Sequence, residues 1–297
     1  MKTWGVDLGG TAIKVGLIED GEFLAETEAL TDVDGGPERV MDQIASLCQS
    51  LGQGASLGVG TPGTVDPLSG KVLYCNNLRW QNVDLAGGLR ARLGVKVRAA
   101  NDAALAALGE NRFGATKGAA CSAVVTLGTG IGVGVTLGGE LWASPCGAPE
   151  FGHTTLHQGG RSCTCGRKGC FEMYCSSRGL ALTAQEVAQT EGLDLPTDGK
   201  NLFSLAAAGL PPARRVVDRW LDDLAEGVAN VANAYRPQII AFGGGLTKSG
   251  DWFLEPLATR ARHRMYGADF CGTPDLKLCS LGYRAGMLGA SLWAHED

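Results

Sequence analysis

The chain has 297 residues, of which 44% are hydrophobic and 19% are charged, and its formal net charge is −5. This length supports two domains with sizeable cores, and the composition is ordinary for a soluble enzyme. The acidic balance argues against nucleic-acid binding. The sequence has no apolar run of about 18 residues and no signal-peptide pattern, so we expect neither a membrane span nor secretion. Ten cysteines without a secretion signal predict a reducing cytoplasm.

The chain begins with two apolar runs that are separated by a Gly-Gly turn, which predicts a β-hairpin with strands near residues 2–8 and 12–18. Glycine lets backbone NH groups approach a phosphate closely. An aspartate at the strand end is suited to hold Mg²⁺ through water, because hard cations prefer oxygen ligands. Taken alone, the motif is equally compatible with an ordinary hairpin. The candidate phosphate turn consists of Asp7, Gly9, Gly10 and Thr11.

An Asn-Asp pair, Asn101 and Asp102, stands between a predicted strand near 95–99 and an alanine-rich helix near 102–112. Either residue is suited to cap that helix. A carboxylate at the carboxyl end of a strand also lies where α/β sheets bind ligands. Since a hydroxyl that attacks a γ-phosphate needs an acceptor for its proton, we predict Asp102 as the catalytic base. Other elements of this region are strands near 22–28 and 56–60 and helices near 37–51 and 84–93.

Residues 121–137 repeat the first pattern, with an apolar strand, a glycine turn that includes Gly128, Thr129 and Gly130, and a second apolar strand. Two such hairpins indicate a duplicated unit with a nucleotide held between the two turns. A third glycine cluster follows the apolar run 238–242. It is suited to border a purine ring, although a plain strand-to-helix loop explains it as well. This cluster consists of Gly243, Gly244 and Gly245.

Residues 150–172 contain three cysteines and one histidine at close spacing. Three thiolates and one imidazole are typical of a closed, structural zinc site, because four protein ligands leave no position for water. Gly166 and Gly169 permit the chain reversals that such a loop needs. A disulfide and inert thiols are the alternatives. The predicted ligands are His153, Cys163, Cys165 and Cys170.

Two carboxylates, Glu150 and Glu172, flank the predicted zinc loop. A loop fixed by a metal is well suited to hold acceptors for the hydroxyls of a polyhydroxylated ligand. Two solvated surface glutamates are an equally simple interpretation of the spacing alone.

Taken together, these motifs resemble the ROK family (repressors, open reading frames, sugar kinases) in order and spacing along the whole chain. The motifs are DLGGT, GTPGTVD at 60–66, ND at 101–102, LGTGIG, ExGH at 150–153, CxCGxxGCxE at 163–172 and the late GGG. The resemblance implies a two-domain α/β fold of the ribonuclease-H-like (actin-like ATPase and sugar kinase) type, with a cleft between the domains. It also implies ATP-dependent phosphorylation of a hexose hydroxyl, with Mg²⁺ and a structural Zn²⁺.

The resemblance further implies roles for individual residues. It assigns phosphate binding to Asp7, Gly9, Gly10, Thr11, Lys14, Thr126, Gly128, Thr129 and Gly130. It assigns sugar binding to Asn77, Asn101, Asp102, Glu150, His153 and Glu172, with Asn76 as the alternative to Asn77. The chain departs from the family pattern at Tyr283 and Arg284, where many members have an Asn-Asp or similar pair. The effect of this departure on nucleotide binding is left open.

We expect an N-terminal domain over residues 1–117, closed by a C-terminal helix over 285–297, and a C-terminal domain over 118–284 that holds the zinc loop. The helices of the second domain are predicted near 176–189, 200–208, 212–235 and 251–265. A homodimer is expected, because symmetric dimers are the common default.

Two functional classes of the family must be compared, the sugar kinases and the sugar-responsive repressors. Repressors carry a DNA-binding domain ahead of the first strand, and Asp7 lies too near the start for one. A non-catalytic sugar sensor would require failure of Asp102 or the phosphate turns. Glucose is the first-choice substrate, because residues 147–153 and the NNLRW segment look most like glucokinases. Kinases of N-acetylmannosamine, N-acetylglucosamine, allose and fructose share the same motifs and remain alternatives.

Overall fold

The protein is described by a computed structural model that covers residues 1–296. Its contacts divide the chain into two compact units. Unit 1 contains Met1–Val124, Gly134–Pro149 and the described residues from Ser280 onward, and unit 2 contains Val125–Val133 and Glu150–Cys279. The domain boundaries given above, 1–117 with 285–297 and 118–284, stay a prediction. The last residue of the predicted closing helix, Asp297, lies outside the described residues.

The elements alternate between strands and helices along most of the chain. The strands are β1 (Thr3–Leu8), β2 (Ala12–Glu19), β3 (Glu22–Leu30), β4 (Ser56–Thr61), β5 (Thr64–Asp66), β6 (Lys71–Cys75), β7 (Trp80–Val83), β8 (Lys96–Asn101), β9 (Cys121–Leu127), β10 (Ile131–Leu137), β11 (Glu140–Leu141), β12 (Ile239–Gly243) and β13 (Asp275–Leu278). The α-helices are α1 (Gly36–Ser50), α2 (Leu85–Leu93), α3 (Asp102–Phe113), α4 (Glu172–Cys175), α5 (Ser177–Glu191), α6 (Gly199–Ala207), α7 (Pro211–Tyr235), α8 (Leu254–Arg262), α9 (Ala268–Cys271) and α10 (Ala285–Trp293).

The first sheet has the strand order β3-β2-β1-β4-β8. The predicted hairpin is confirmed, because β1 and β2 pair antiparallel with Leu8 opposite Ile13, and Gly9 N donates to Ala12 O at 2.9 Å. Strands β1, β4 and β8 run parallel, and every residue of β4 is buried. Parallel strands that are covered on both faces read as continuous apolar runs, which is how these strands read in the sequence.

Helix α10 packs against β1, β4 and α3 with almost no space between the backbones. A β-carbon on Gly58 of β4 would overlap the carbonyl oxygen of Ala290, and one on Gly289 would overlap the carbonyl oxygen of Leu105. Glycine is therefore required on both sides of this contact, because any side chain would separate the helix from the sheet.

The second sheet has the order β11-β10-β9-β12-β13, with β12 and β13 parallel. In unit 2, α7 begins with Pro211 and Pro212, which suit the first helical turn because the NH groups there lack helical partners. Aromatic rings form the core beside it, with centroid distances of 5.0 to 5.8 Å. The rings belong to Phe203, Trp220, Phe242, Trp252 and Phe253. One face of α7 is buried, as its apolar spacing predicts, through Val216, Val217, Trp220, Leu224 and Val228.

Two local predictions differ from the structure. Two predicted helices are shorter in the structure, because 251–265 is reduced to Leu254–Arg262 and the closing helix 285–297 ends at Trp293. Strands β5, β6 and β7 form a separate sheet that the sequence analysis does not identify, since strands of three to five residues contain too few positions for a clear period. Among the described residues, none of the helices is long and apolar enough to span a membrane.

Candidate functional site

Four side chains with metal-binding atoms come together in unit 2, and they are the predicted zinc ligands His153, Cys163, Cys165 and Cys170. Their ligand atoms all lie within 4.8 Å of one another. The Cys163 sulfur lies 3.7 Å from His153 Nδ1, and the sulfurs of Cys165 and Cys170 lie 3.6 Å apart. Zinc–sulfur bonds of about 2.3 Å in a tetrahedron separate two sulfurs by about 3.8 Å. The donor set and its spacing therefore fit zinc.

The loop that carries these ligands is folded by its own backbone. Gly166 and Gly169 have φ angles of 87° and 80°, which favour glycine, and Cys163 N donates to Arg167 O at 2.9 Å. All ten cysteines are free thiols. Burial, with a contribution from Glu172, raises the pKa of the Cys163 thiol to about 12. A bound divalent cation would reverse this effect, because it favours the thiolate form.

The predicted sugar acceptors Glu150 and Glu172 both adjoin predicted zinc ligands of the same unit. Glu172 is the first residue of α4, and its Oε1 accepts a hydrogen bond from Cys163 Sγ at 3.2 Å and lies 3.8 Å from His153 Nδ1. Glu150 is exposed, and its carbonyl accepts from His153 N at 3.0 Å, which begins the short 3₁₀ helix Phe151–His153.

The second glycine turn lines a pocket of about 1170 Å³ in unit 2. Gly128, Thr129 and Gly245 all contribute to its wall. A β-carbon on Gly128 would meet nothing closer than 3.8 Å, and one on Gly245 would meet nothing within 4 Å. These glycines are not needed for packing, so their open backbone is available to a ligand. Thr126 instead braces the turn, because its hydroxyl donates to Gly132 O at 3.2 Å and accepts from Gly132 N at 3.1 Å.

The other two residues of the late glycine cluster serve packing. Gly244 has a φ of 94°, and its β-carbon would lie 2.6 Å from Leu127 O. A β-carbon on Gly243 would lie 3.2 Å from the Cys279 sulfur. Of the three predicted purine-site glycines, Gly245 alone lines the pocket.

Several further pocket residues are not identified by the sequence analysis. The segment 191–201 has no evident chemistry in the sequence, yet Asp198 caps α6 by accepting from Asn201 N at 2.9 Å. An aspartate three residues before the donor is a recognisable helix start, and this pattern could have indicated α6 in the sequence. The pocket walls that the sequence analysis leaves out include Asp198, Lys200, Phe203, Lys248 and Trp252.

In unit 1, Asp7 and Asp102 lie at the same edge of the first sheet. Asp7 of β1 pairs with Gly60 of β4, and Gly60 pairs with Ala100 of β8, two residues before Asp102. A β-carbon on Gly60 would lie 3.4 Å from Asp102 Cα. Because the three strands are parallel, their carboxyl ends bring both carboxylates to the edge where α/β sheets bind ligands.

The Asn-Asp pair divides two tasks at the start of α3. Asn101 is the cap, since its Oδ1 accepts from Ala104 N at 3.1 Å while its Nδ2 donates to Gly63 O at 3.1 Å. Asp102 is the first helical residue, and its Oδ1 accepts from Ala103 N at 2.8 Å. The helix N-terminus favours a negative charge at this position.

The first glycine turn has an open backbone beside Asn77. A β-carbon on Gly10 would meet no atom closer than Asn77 Cβ, at 3.6 Å. Burial raises the pKa of Asp7, and Lys14, its partner across the hairpin, counters this in part. A carboxylate that is costly to ionise when unpaired is well suited to a divalent cation.

The departure at Tyr283 and Arg284 is tied to the edge strand β3. Glu26 accepts from Tyr283 OH at 3.1 Å and from Arg284 Nη2 at 2.7 Å. The Lys14 ammonium lies 5.8 Å from the centre of the Tyr283 ring, at the outer limit of a cation–π contact. Tyr283 and Arg284 therefore both contact β3 through Glu26, and Tyr283 also lies beside Lys14 of β2.

Comparison with known proteins finds sugar kinases that are similar to this chain over nearly its whole length. The chain is 35% identical over 306 residues to a glucokinase of Thermotoga maritima, covering 98% of this chain and 96% of the relative. A ROK hexokinase structure from Thermus thermophilus has a TM-score of 0.85 at 33% identity and covers 99% of this chain and 98% of its own. A ROK family glucokinase from Streptomyces griseus in complex with glucose and AMPPNP has a TM-score of 0.86 at 30% identity and covers the whole of both chains.

These structures have the two-domain, actin-like ATPase fold, so the predicted fold class is confirmed. The model of the ROK family matches residues 3–297. The protein belongs to the ROK family.

Proposed function

We propose that this protein transfers the γ-phosphoryl group of ATP to a hydroxyl of glucose, giving glucose 6-phosphate and ADP. The observation that carries the proposal is the carboxyl edge of the first sheet, where Asp7, the open Gly10 turn and Asp102 follow parallel strands. The glucokinase relative supports ATP and glucose as the substrates.

Asp102 is the proposed general base. It accepts the proton of the sugar hydroxyl while that oxygen attacks the γ-phosphorus, and the bond from phosphorus to the bridging oxygen breaks to release ADP. Backbone NH groups of the turns at Gly9–Gly10 and Gly128–Gly130 stabilise the charge on the transferring group. Mg²⁺, when bound, would neutralise phosphate charge, and Asp7 is the residue proposed to hold it.

Sugar binding is proposed for six residues, each of which is described within its own unit. Asn77, Asn101 and Asp102 contribute from unit 1, and Glu150, His153 and Glu172 from unit 2. The zinc proposed at His153, Cys163, Cys165 and Cys170 has a structural task, because it fixes the loop that carries the two glutamates. The separation of 3.2 Å between Cys163 Sγ and Glu172 Oε1 supports this task, because it places a proposed zinc ligand beside the carboxylate.

The proposal is tested with a coupled assay of ADP release over a panel of hexoses and N-acetylhexosamines. We expect the highest kcat/KM with glucose. A higher value with N-acetylmannosamine, N-acetylglucosamine, allose or fructose would retain the kinase and change its substrate. Sugar binding by calorimetry without ADP release from any sugar would identify a sensor and contradict the kinase.

A homodimer in the cytoplasm is proposed as well. The side chains of Tyr266 and Phe270 are 80% and 94% exposed, which supports burial of this surface in an assembly. Light scattering coupled to size-exclusion chromatography tests the dimer. The cysteine-rich zinc loop supports a reducing compartment, because its thiols must stay reduced to hold the metal.

A further inference from the structure

Arg161 lies in the predicted zinc loop, and every N–H group of its guanidinium contacts an acceptor within unit 2. Its five N–H donors meet five acceptor contacts. Nη1 donates to Met173 O at 2.8 Å and to Gly179 O at 3.1 Å. Nη2 donates to Thr183 Oγ1 at 2.9 Å, and Glu186 accepts from Nε at 2.9 Å and from Nη2 at 2.8 Å.

Arg161 also packs against the aromatic ring of Tyr174. The guanidinium lies 4.6 Å from the centre of the Tyr174 ring, and the His157 ring lies 4.4 Å from it. The Tyr174 hydroxyl accepts from Arg161 N at 2.8 Å, and a β-carbon on Gly160 would overlap that hydroxyl. The ring of α4 is thus held by the zinc loop through stacking and a backbone hydrogen bond.

These contacts fix the helix that begins with Glu172. Met173 and Tyr174 directly follow Glu172, and both are buried. The carbonyl of Met173 is one of the two backbone acceptors of the guanidinium, so α4 cannot shift along the loop without breaking that bond. Cys163, two residues after Arg161 in the same loop, contacts the Glu172 carboxylate.

Lysine cannot replace arginine in this arrangement. The acceptors belong to two helices, with Met173 in α4 and with Gly179, Thr183 and Glu186 in α5. The planar guanidinium of arginine reaches all of these acceptors at once, whereas the ammonium of lysine has three donors on one nitrogen atom. The side chain is 15% exposed, so unmade hydrogen bonds would not be replaced fully by water.

We propose that Arg161 is a positioning residue for the sugar acceptor Glu172. It acts through α4 and Tyr174 and sets the place of the Glu172 carboxylate relative to the zinc ligands. The inference rests on the proposed function, in which Glu172 binds the sugar. A displacement of a positioning contact by about 1 Å is enough to impair binding and catalysis severely.

The test compares Arg161→Lys with a matched control, Arg215→Lys. Arg215 forms an ion pair with Glu191, which is also on α5, and that pair does not involve the zinc loop. In Arg161→Lys we expect the calorimetric Kd and the KM for glucose to rise about tenfold, because hydrogen bonds from a charged group are lost. The KM for ATP should change less than about twofold, and Arg215→Lys should leave all three constants at wild-type values.

The variant Glu186→Gln separates the effect of the ion pair between Arg161 and Glu186 from the effect of the other hydrogen bonds of the Arg161 guanidinium. Glu186 is half exposed, and its replacement leaves the bonds to Met173 and Gly179 intact, so its effect on glucose affinity should be smaller than that of Arg161→Lys. If Arg161→Lys fails to fold, Tyr174→Phe replaces it. That variant keeps the ring and removes the hydroxyl acceptor, and it should raise the glucose Kd with an unchanged KM for ATP.

Two results would overturn the inference. One is a lower Tm of Arg161→Lys with wild-type glucose affinity, which would mean that Arg161 contributes to stability only. The other is an equal loss of glucose and ATP affinity, which would indicate general loosening of unit 2. Zinc release to a chelator keeps this test distinct from the kinase proposal. If the wild type lacked kinase activity, the proposed kinase function would be wrong. If zinc release were nevertheless faster in Arg161→Lys than in Arg215→Lys, Arg161 would still be the residue that orders the loop.

Discussion

A β-carbon on Gly130 would lie 2.8 Å from Oε2 of Glu172. The turn that contains Gly130 and the proposed sugar acceptor Glu172 are therefore so close that only glycine fits between them without a shift. The opposite oxygen of the same carboxylate accepts from Cys163. Glu172 thus connects the zinc cluster to the turn within unit 2, and a change on either side should reach the other.

Gly130→Ala should raise the KM for glucose by about fivefold or more and change the KM for ATP less, because the Glu172 carboxylate, at the end of a flexible side chain, must move to relieve the overlap. Steady-state kinetics with each substrate varied in turn measures this. Gly128→Ala is the matched control, since its β-carbon has open space in the free protein and should leave the glucose KM unchanged. An unaffected glucose KM in Gly130→Ala would mean that Glu172 does not bind the sugar.

Asp102→Asn should lower kcat by about 10²–10⁴-fold while glucose and ATP bind within a few fold of wild type. Asparagine keeps the shape of the side chain and its bond to Ala103 N, but it is a poor proton acceptor. Asp84→Asn is the control, because Asp84 likewise accepts a backbone NH at a helix start, that of Gly87. Retention of more than about a tenth of wild-type kcat in Asp102→Asn would place the base elsewhere.

Gly10→Val and Gly128→Val should each raise the KM for ATP about tenfold or more, because a β-branched side chain blocks the approach of phosphate to backbone NH groups. Both β-carbon positions lack close neighbours, so Tm should stay near wild type. Thermal unfolding and ATP titrations on the same preparations measure the two effects. Weakened glucose binding with normal ATP binding would contradict the assignment of these turns.

Purified protein should contain close to one zinc per chain, and Cys165→Ser should lose it, because a serine hydroxyl is a poor ligand in place of a thiolate. Glucose affinity should fall first, with ATP binding largely retained. Emission spectroscopy for zinc and calorimetry for glucose provide the measurements. Cys146→Ser, which changes an exposed cysteine outside the cluster, is the control. A zinc-free wild type with full activity would rule out the metal site.

Stability should depend on pH through Glu296. Burial, followed by repulsion from Glu140, raises its pKa to about 7 from the ordinary value of 4.5. Between these values the unfolded chain has released the proton and the folded protein has not, so the free energy of unfolding falls as pH rises and levels off above pH 7. Glu296→Gln should therefore raise Tm by about 2–4 °C at pH 8 and leave it unchanged near pH 4.5.

Calorimetry at the two pH values measures this difference. Asp194→Asn, which changes an exposed carboxylate in unit 2, controls for the loss of one negative charge. An equal gain in Tm at both pH values would indicate better packing by glutamine rather than relief of a buried charge.

Much of the site was predictable because its residues are close together in sequence. The zinc ligands occupy one short loop, and the Gly-Gly turn and Asn101–Asp102 follow strands with clear apolar patterns. The spacing does not reveal how a residue is used once the chain has folded. Thr126 and Gly244 belong to the predicted nucleotide motifs, yet one braces a turn and the other avoids an overlap with Leu127.

The remainder depends on contacts between distant parts of the sequence. The pocket wall formed by Lys200 and Trp252 arises from tertiary packing of α6 and the segment before α8, which no local pattern encodes. Arg161 is one of many arginines in the sequence, and its five bonds are evident only when α4 and α5 are in place. Small strands such as β5 are stabilised by their neighbours rather than by their own residues.

The close fit of α10 against β1 and β4 has a consequence for protein synthesis. The ribosome makes β1 near the beginning of translation and α10 only after the whole of unit 2. Until α10 emerges, the glycine-lined face that receives it, at Gly5 and Gly58, remains uncovered on the nascent chain. Unit 1 therefore cannot complete its core before the last helix has been made. Nascent chains stalled before residue 285 should therefore bind chaperones through the first sheet.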